Sequence, residues 1–137
     1  MKPLIVLDTN VLVAALRSRQ GSAFKMLERL GRESFDTVVS VPLVLEYEDV
    51  LSRNGMVSLR SQEVEAILDY LCLVSRHQNV FYLWRPMLAD PKDDMVLELA
   101  LNASAQYIVT YNIRDFTKAI PLGIAPLTPK QFLEVLK

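Results

Sequence analysis

Apolar residues come in two rhythms along this chain. Leu4-Ile5-Val6-Leu7, Thr37-Val38-Val39 and Tyr107-Ile108-Val109-Thr110 are short aliphatic or β-branched runs. Such runs fit strands covered on both faces, as inside a parallel sheet. Elsewhere apolar residues return every three or four positions, the period of a helix with one buried face. That period predicts a helix over Val11–Leu16, capped by Asp8 or Thr9. It predicts a second from Ser22, with Phe24, Leu27 and Leu30 inward and Gly31 at its end. A third begins at Pro42, buries Leu43, Tyr47, Val50 and Leu51, and closes at Asn54-Gly55. A fourth begins at Ser61, with Val64, Ile67, Leu68, Leu71 and Val74 inward.

Residues Asn79 to Trp84 read as a further strand, and Arg85 to Lys92 as a loop with two prolines. Asp93-Asp94 opens a helix that packs Val96, Leu97, Leu99, Ala100 and Ala103. Ile124 marks a last edge strand, crowded by Pro121 and Pro126. Thr128 caps a final helix, with Pro129 in its first turn and Phe132, Leu133 and Leu136 inward. Strands alternating with helices predict an α/β protein of three layers, α/β/α, around a parallel sheet of four to five strands. Right-handed crossovers would connect them. No repeat or linker interrupts residues 1–137, which read as one domain.

Composition narrows the chemistry. With 137 residues, 51% of them hydrophobic, the chain has material for a real core. The formal net charge of -1 offers no global attraction for a polyanion, so nucleic-acid binding would need a local basic patch or metal ions. Residues 1–35 are basic, through Lys2, Arg17, Arg19, Lys25, Arg29 and Arg32, while residues 41–70 are acidic. Cys72 is the single cysteine and reads as a small buried hydrophobe, so no internal disulfide and no thiolate zinc site is expected. His77 is the single histidine, and no nucleophile motif accompanies it. Asp8, Thr9 and Asn10 interrupt the first apolar run, and no segment reaches membrane-spanning length. A cytoplasmic protein is expected.

The candidate chemistry is a set of acids. Asp8 follows the first strand directly, at the strand end where open α/β sheets bind ligands. Glu46 falls three residues after Leu43 and four before Val50, on the inward stripe of its helix, where a carboxylate needs a partner or a metal. Asp93 and Asp94 open a helix; one can cap it while the other, Asp94, faces the cleft. Asn112 and Asp115 follow the last central strand. Acids gathered from separate segments repel unless they share protons or bind a cation. Oxygen ligands without histidine or cysteine favour Mg²⁺ or Mn²⁺, one or two ions. Such a site activates water and neutralises phosphate oxygens. Thr9 and Thr110 are placed to orient a water or a ligand carboxylate.

Four blocks also carry a family resemblance. Leu4-Ile-Val-Leu-Asp8-Thr-Asn10, Glu46 early in the third helix, Asp94-Met-Val-Leu-Glu-Leu-Ala100 and Val109-Thr-Tyr-Asn-Ile-Arg-Asp115-Phe116, in that order, resemble a PIN domain. The resemblance spans nearly the whole chain and implies a metal-dependent ribonuclease. Small members of this kind resemble the VapC toxins of toxin–antitoxin pairs, which implies an antitoxin partner and a homodimer. The family's three core acids carry over onto Asp8, Glu46 and Asp94. Where many members have a fourth acid this chain has Asn112, leaving Asp115 the nearest carboxylate. Asp115 is expected to reach the metal through water, with Asn112 orienting that water or the phosphate. The alternative is a PIN-fold binding or regulatory module without turnover. A haloacid-dehalogenase type of phosphatase would need an acid two residues after Asp8, where Asn10 stands.

Overall fold

The computed structural model describes residues 2–81 and 88–137. Five strands form one all-parallel sheet: β1 (Leu4–Leu7), β2 (Asp36–Val39), β3 (Arg76–His77), β4 (Tyr107–Val109) and β5 (Ala125–Leu127), in the order β3-β2-β1-β4-β5. The helices are α1 (Thr9–Arg17), α2 (Ser22–Glu28), α3 (Val41–Leu51), α4 (Ser61–Val74), α5 (Pro91–Ala103) and α6 (Pro129–Val135), with a 3-10 segment over Ile113–Leu122. The expected three-layer α/β/α architecture is what the chain adopts.

The winding reverses once. The chain moves outward from β1 through β2 to β3, then returns to β4 on the other side of β1 and continues to β5. With right-handed crossovers, the reversal places α5 on the opposite face from the helices before it. α5 packs across β1, β2 and β4, beside the 3-10 segment, while α1 meets α2 and α3, α3 meets α4, and α2 meets α6. The switch point lies between β1 and β4, where Ile5, Val6 and Leu7 face Tyr107, Ile108 and Val109 in register. All four β1 residues are buried, as their unbroken apolar run requires. At the opposite end, Phe132 of α6 is fully buried and meets Phe35 and Tyr107 edge-on, at ring-centroid distances of 5.3 and 5.7 Å. Pro126 sits in edge strand β5, where its missing N–H costs least.

Several boundaries differ from the sequence reading. The strand expected from Asn79 is β3, three residues earlier; Asn79 to Phe81 are not strand, and the rest of that expectation, Tyr82 to Trp84, lies outside the described residues. On α2 the buried face is Ala23 and Met26, with Leu30 beyond its end, rather than Phe24 and Leu27. α5 begins at Pro91, not at Asp93, because Asp90 is its N-cap. The expected polar turn after β4 leads into the 3-10 segment. Among the described residues, no helix is long and apolar enough to cross a membrane.

Candidate active site

Asp8 leaves β1 and becomes the N-cap of α1 in the same step. Its Oδ1 accepts from the Thr9 amide at 2.8 Å, and its Oδ2 accepts from the Thr110 hydroxyl at 2.8 Å. Thr110, fully buried, follows β4 directly, so one hydrogen bond spans the switch point. The Thr110 hydroxyl also accepts from the Asn112 amide at 3.0 Å and, more loosely, from Asn10 Nδ2 at 3.5 Å. Asn10 Oδ1 in turn accepts from the Tyr111 amide at 3.3 Å. Asn10 and Asn112 thus belong to a clamp that fixes the β4 turn against α1. Thr9 contributes its amide to the Asp8 carboxylate and is half-buried.

Behind this clamp stands Tyr47. It is buried and donates its hydroxyl to the Leu7 carbonyl at 2.5 Å. Burial, then the charge of Asp8, pushes its phenol well above its usual range. Tyr47 therefore stays a neutral donor and ties α3, with its neighbour Glu46, to the carboxyl end of β1.

The acids interact through charge at this end of the sheet. Burial raises the Asp8 carboxyl above its ordinary range, against the lowering effects of Thr110 and Thr9; Asp115 and Asp90 push it further up. Asp93 is raised to about 7, first by burial and then by the charges of Asp8, Asp90, Asp115 and Asp94. Burial is the larger cause, and the neighbouring carboxylates add uncompensated negative charge to it. Asp90, Asp93 and Asp115 line one open cleft of about 410 Å³ with Leu88, Ala89, Arg114, Thr117 and Lys118. Among the described residues, no three acidic, histidine or cysteine side chains are drawn together into a ready metal cage.

The sequence-predicted residues divide accordingly. Asp8, Asp115, Thr110 and Asn112 share the switch-point end. Glu46 is largely buried and pairs with Lys92 of α5, its Oε1 lying 3.4 Å from Nζ. Asp94, buried, accepts from the Leu88 amide at 2.9 Å and so holds the chain leading into α5. The cap role given to Asp93 belongs to Asp90, whose Oδ1 accepts from the Lys92 amide at 2.9 Å. Freed from capping, Asp93 lines the cleft with Asp115 and feels the charge of Asp8. Asp90 is the acid the sequence reading missed. Pro91 was the available signal, because proline in a first helical turn marks the residue before it as the cap. His77 lies outside this site and donates Nε2–H to the Cys72 carbonyl at 2.7 Å.

Comparison with known proteins gives these features a context. A family model described as "PIN domain" matches residues 4–114. Two solved complexes resemble the fold. One is VapBC2 from Rickettsia felis bound to a DNA fragment from its promoter, with a TM-score of 0.63, 19% identity and coverage of 91% of this chain and 98% of that one. The other is FitAB bound to the IR36 DNA fragment, with a TM-score of 0.64, 19% identity and coverage of 91% and 94%. No curated protein matches the chain.

Proposed function

The chain belongs to the PIN-domain family, and from that premise we propose that it is a divalent-metal-dependent endoribonuclease, the toxin of a toxin–antitoxin pair. PIN domains are generally nucleases, and divalent metal ions are general to the family. The observation that carries the reading is the mutual repulsion of Asp8, Asp93 and Asp115 at the switch-point end, with Asp93 raised to about 7 by burial and then by its acidic neighbours. Its donors are carboxylate oxygens, which suit Mg²⁺ or Mn²⁺, and the uncompensated charge is what such a cation offsets. We assign Asp8, Glu46, Asp93 and Asp115 as the carboxylates that would hold one or two ions. Asp94 positions α5 through Leu88. A bound divalent cation would supply positive charge for the phosphate oxygens and make water more acidic.

The chain's own groups do the rest. Thr110 holds Asp8 in one rotamer, so that its carboxylate is set before substrate arrives. Arg114 and Lys118, on the wall of the same cleft, face a backbone phosphate beside the scissile one. They supply the local basic surface that the net charge of -1 does not. The cleft is open, as a single strand with splayed bases requires.

The two structural neighbours, VapBC2 and FitAB, are complexes bound to DNA. They support a small antitoxin partner for this chain. We read residues 1–137 as one PIN-like domain that forms a homodimer.

The test is direct. Purified protein incubated with single-stranded RNA should cleave it in Mg²⁺ or Mn²⁺ and stop in EDTA. Cleavage that persists after metal is stripped away removes the metal mechanism. Absence of cleavage with every divalent metal returns the chain to a binding or regulatory role.

A further inference from the structure

Lys92 is a cation placed among anions. Asp90 precedes it by two residues, and Asp93 and Asp94 follow it. It stands in the first turn of α5, where the helix dipole disfavours a positive charge. Its backbone is fixed there by Pro91 and by the bond from its amide to Asp90 Oδ1. The side chain reaches across to α3, where Nζ lies 3.4 Å from Glu46 Oε1. The two partners differ in exposure: Glu46 is 15% exposed and Lys92 is 54% exposed. The carboxylate is fixed within the fold, while the ammonium sits on a flexible stem that can swing into water.

We propose that Lys92 is a resident counter-ion of Glu46, and that a divalent cation must displace it to use that carboxylate. The inference rests on the reading of Glu46 as a metal ligand. An ammonium and a divalent ion both seek the Glu46 oxygens, and each repels the other at short range. Before metal arrives, Lys92 offsets the charge of Glu46 and spares α3 an unpaired, largely buried carboxylate. On metal binding the lysine releases Glu46 at small cost, because its own half is already exposed. The pair thereby sets the metal concentration at which the site fills, and so acts as a threshold built into the apoprotein.

Binding of Mn²⁺ to the full chain, followed by the electron paramagnetic resonance signal of the free ion, tests this without any turnover. Lys92→Gln should tighten Mn²⁺ binding about 2- to 5-fold, the scale of a partly exposed ion pair. Lys92→Arg, which keeps the charge, should stay close to wild type. Glu46→Gln should weaken binding, and adding Lys92→Gln to it should then bring no tightening. That last arm separates a specific pair from a general field effect. Unchanged or weaker binding in Lys92→Gln, beside measurable binding in wild type, overturns the proposal. Equal tightening with and without Glu46 also overturns it, since the lysine would then act only through the field. If wild type binds no Mn²⁺ at millimolar concentration, the metal reading itself fails and this inference falls with it.

Discussion

Two adjacent aspartates take opposite parts at the residue scale. Asp93 titrates near 7 in the folded protein, against 3.8 for an unperturbed carboxyl. Between those values the folded chain keeps a proton that the unfolded chain has released. The stability tied to that proton is fully present below about pH 4 and is lost as pH rises through 7. Metal-free protein should therefore lose melting temperature from pH 5 to pH 8. Asp93→Asn should flatten that fall and raise Tm at pH 8 by roughly 2–6 °C, while reducing RNA cleavage by about 100-fold or more. Calorimetry across pH checks the first, and a cleavage assay the second. Asp94→Ala should do the reverse, costing about 1–3 kcal/mol by leaving the buried Leu88 amide without its acceptor. An Asp94→Ala protein as stable as wild type but inactive would exchange the two roles. Tyr47→Phe should cost about 1–2 kcal/mol in urea denaturation, because the Leu7 carbonyl loses its buried donor.

Residue-level legibility was uneven for physical reasons. Asp8 could be read because an apolar strand ends on it. Glu46 could be read because helical period alone places it next to the buried face. Its partner Lys92 could not, because nothing local pairs residues on α3 and α5.

At the element scale, strong helical periods were recovered, and the misses fall where the period is short or absent. β3 has two residues and lies at an edge, so no apolar run announces it. The segment Ile113–Leu122 buries Phe116 and Ala119, three residues apart. That is the 3-10 repeat, and Asn112 hides it by looking like an ordinary turn. The omission mattered, since this segment carries Asp115 together with Arg114 and Lys118. Replacing both basic residues by glutamine should raise KM for RNA several-fold with little change in kcat. The salt dependence of RNA binding should also lose about 0.7 in log–log slope per phosphate contact removed. An unchanged slope would place the RNA backbone elsewhere.

Taken whole, the molecule keeps apolar side chains in water on neighbouring helices. Val41 and Leu45 of α3 are 70% and 59% exposed, and Leu73 of α4 is 80% exposed. α3 and α4 pack against each other. Apolar residues exposed on adjoining helices fit association of two copies, as the expected homodimer requires. Multi-angle light scattering at micromolar concentration should give twice the chain mass. A monomer would refute it, and Leu45→Lys with Leu73→Lys should dissociate the dimer without unfolding the chain.

The position of β1 between β2 and β4 has a consequence in time. β1 is made long before β4, its second neighbour, because β2, β3 and five helices lie between them in the chain. The bond from Thr110 to Asp8 joins residues 102 positions apart. Contacts of such long range form late and slow folding. A nascent chain ending before Tyr107 already holds Asp8 and Glu46, but it has no Thr110 to orient the first and no Asp115 beside it. On the ribonuclease reading proposed above, the nearest RNA during synthesis is the chain's own message. Chains stalled before Tyr107 on the ribosome are expected to leave that message intact, because the winding order withholds Thr110 and Asp115 until β4 is made.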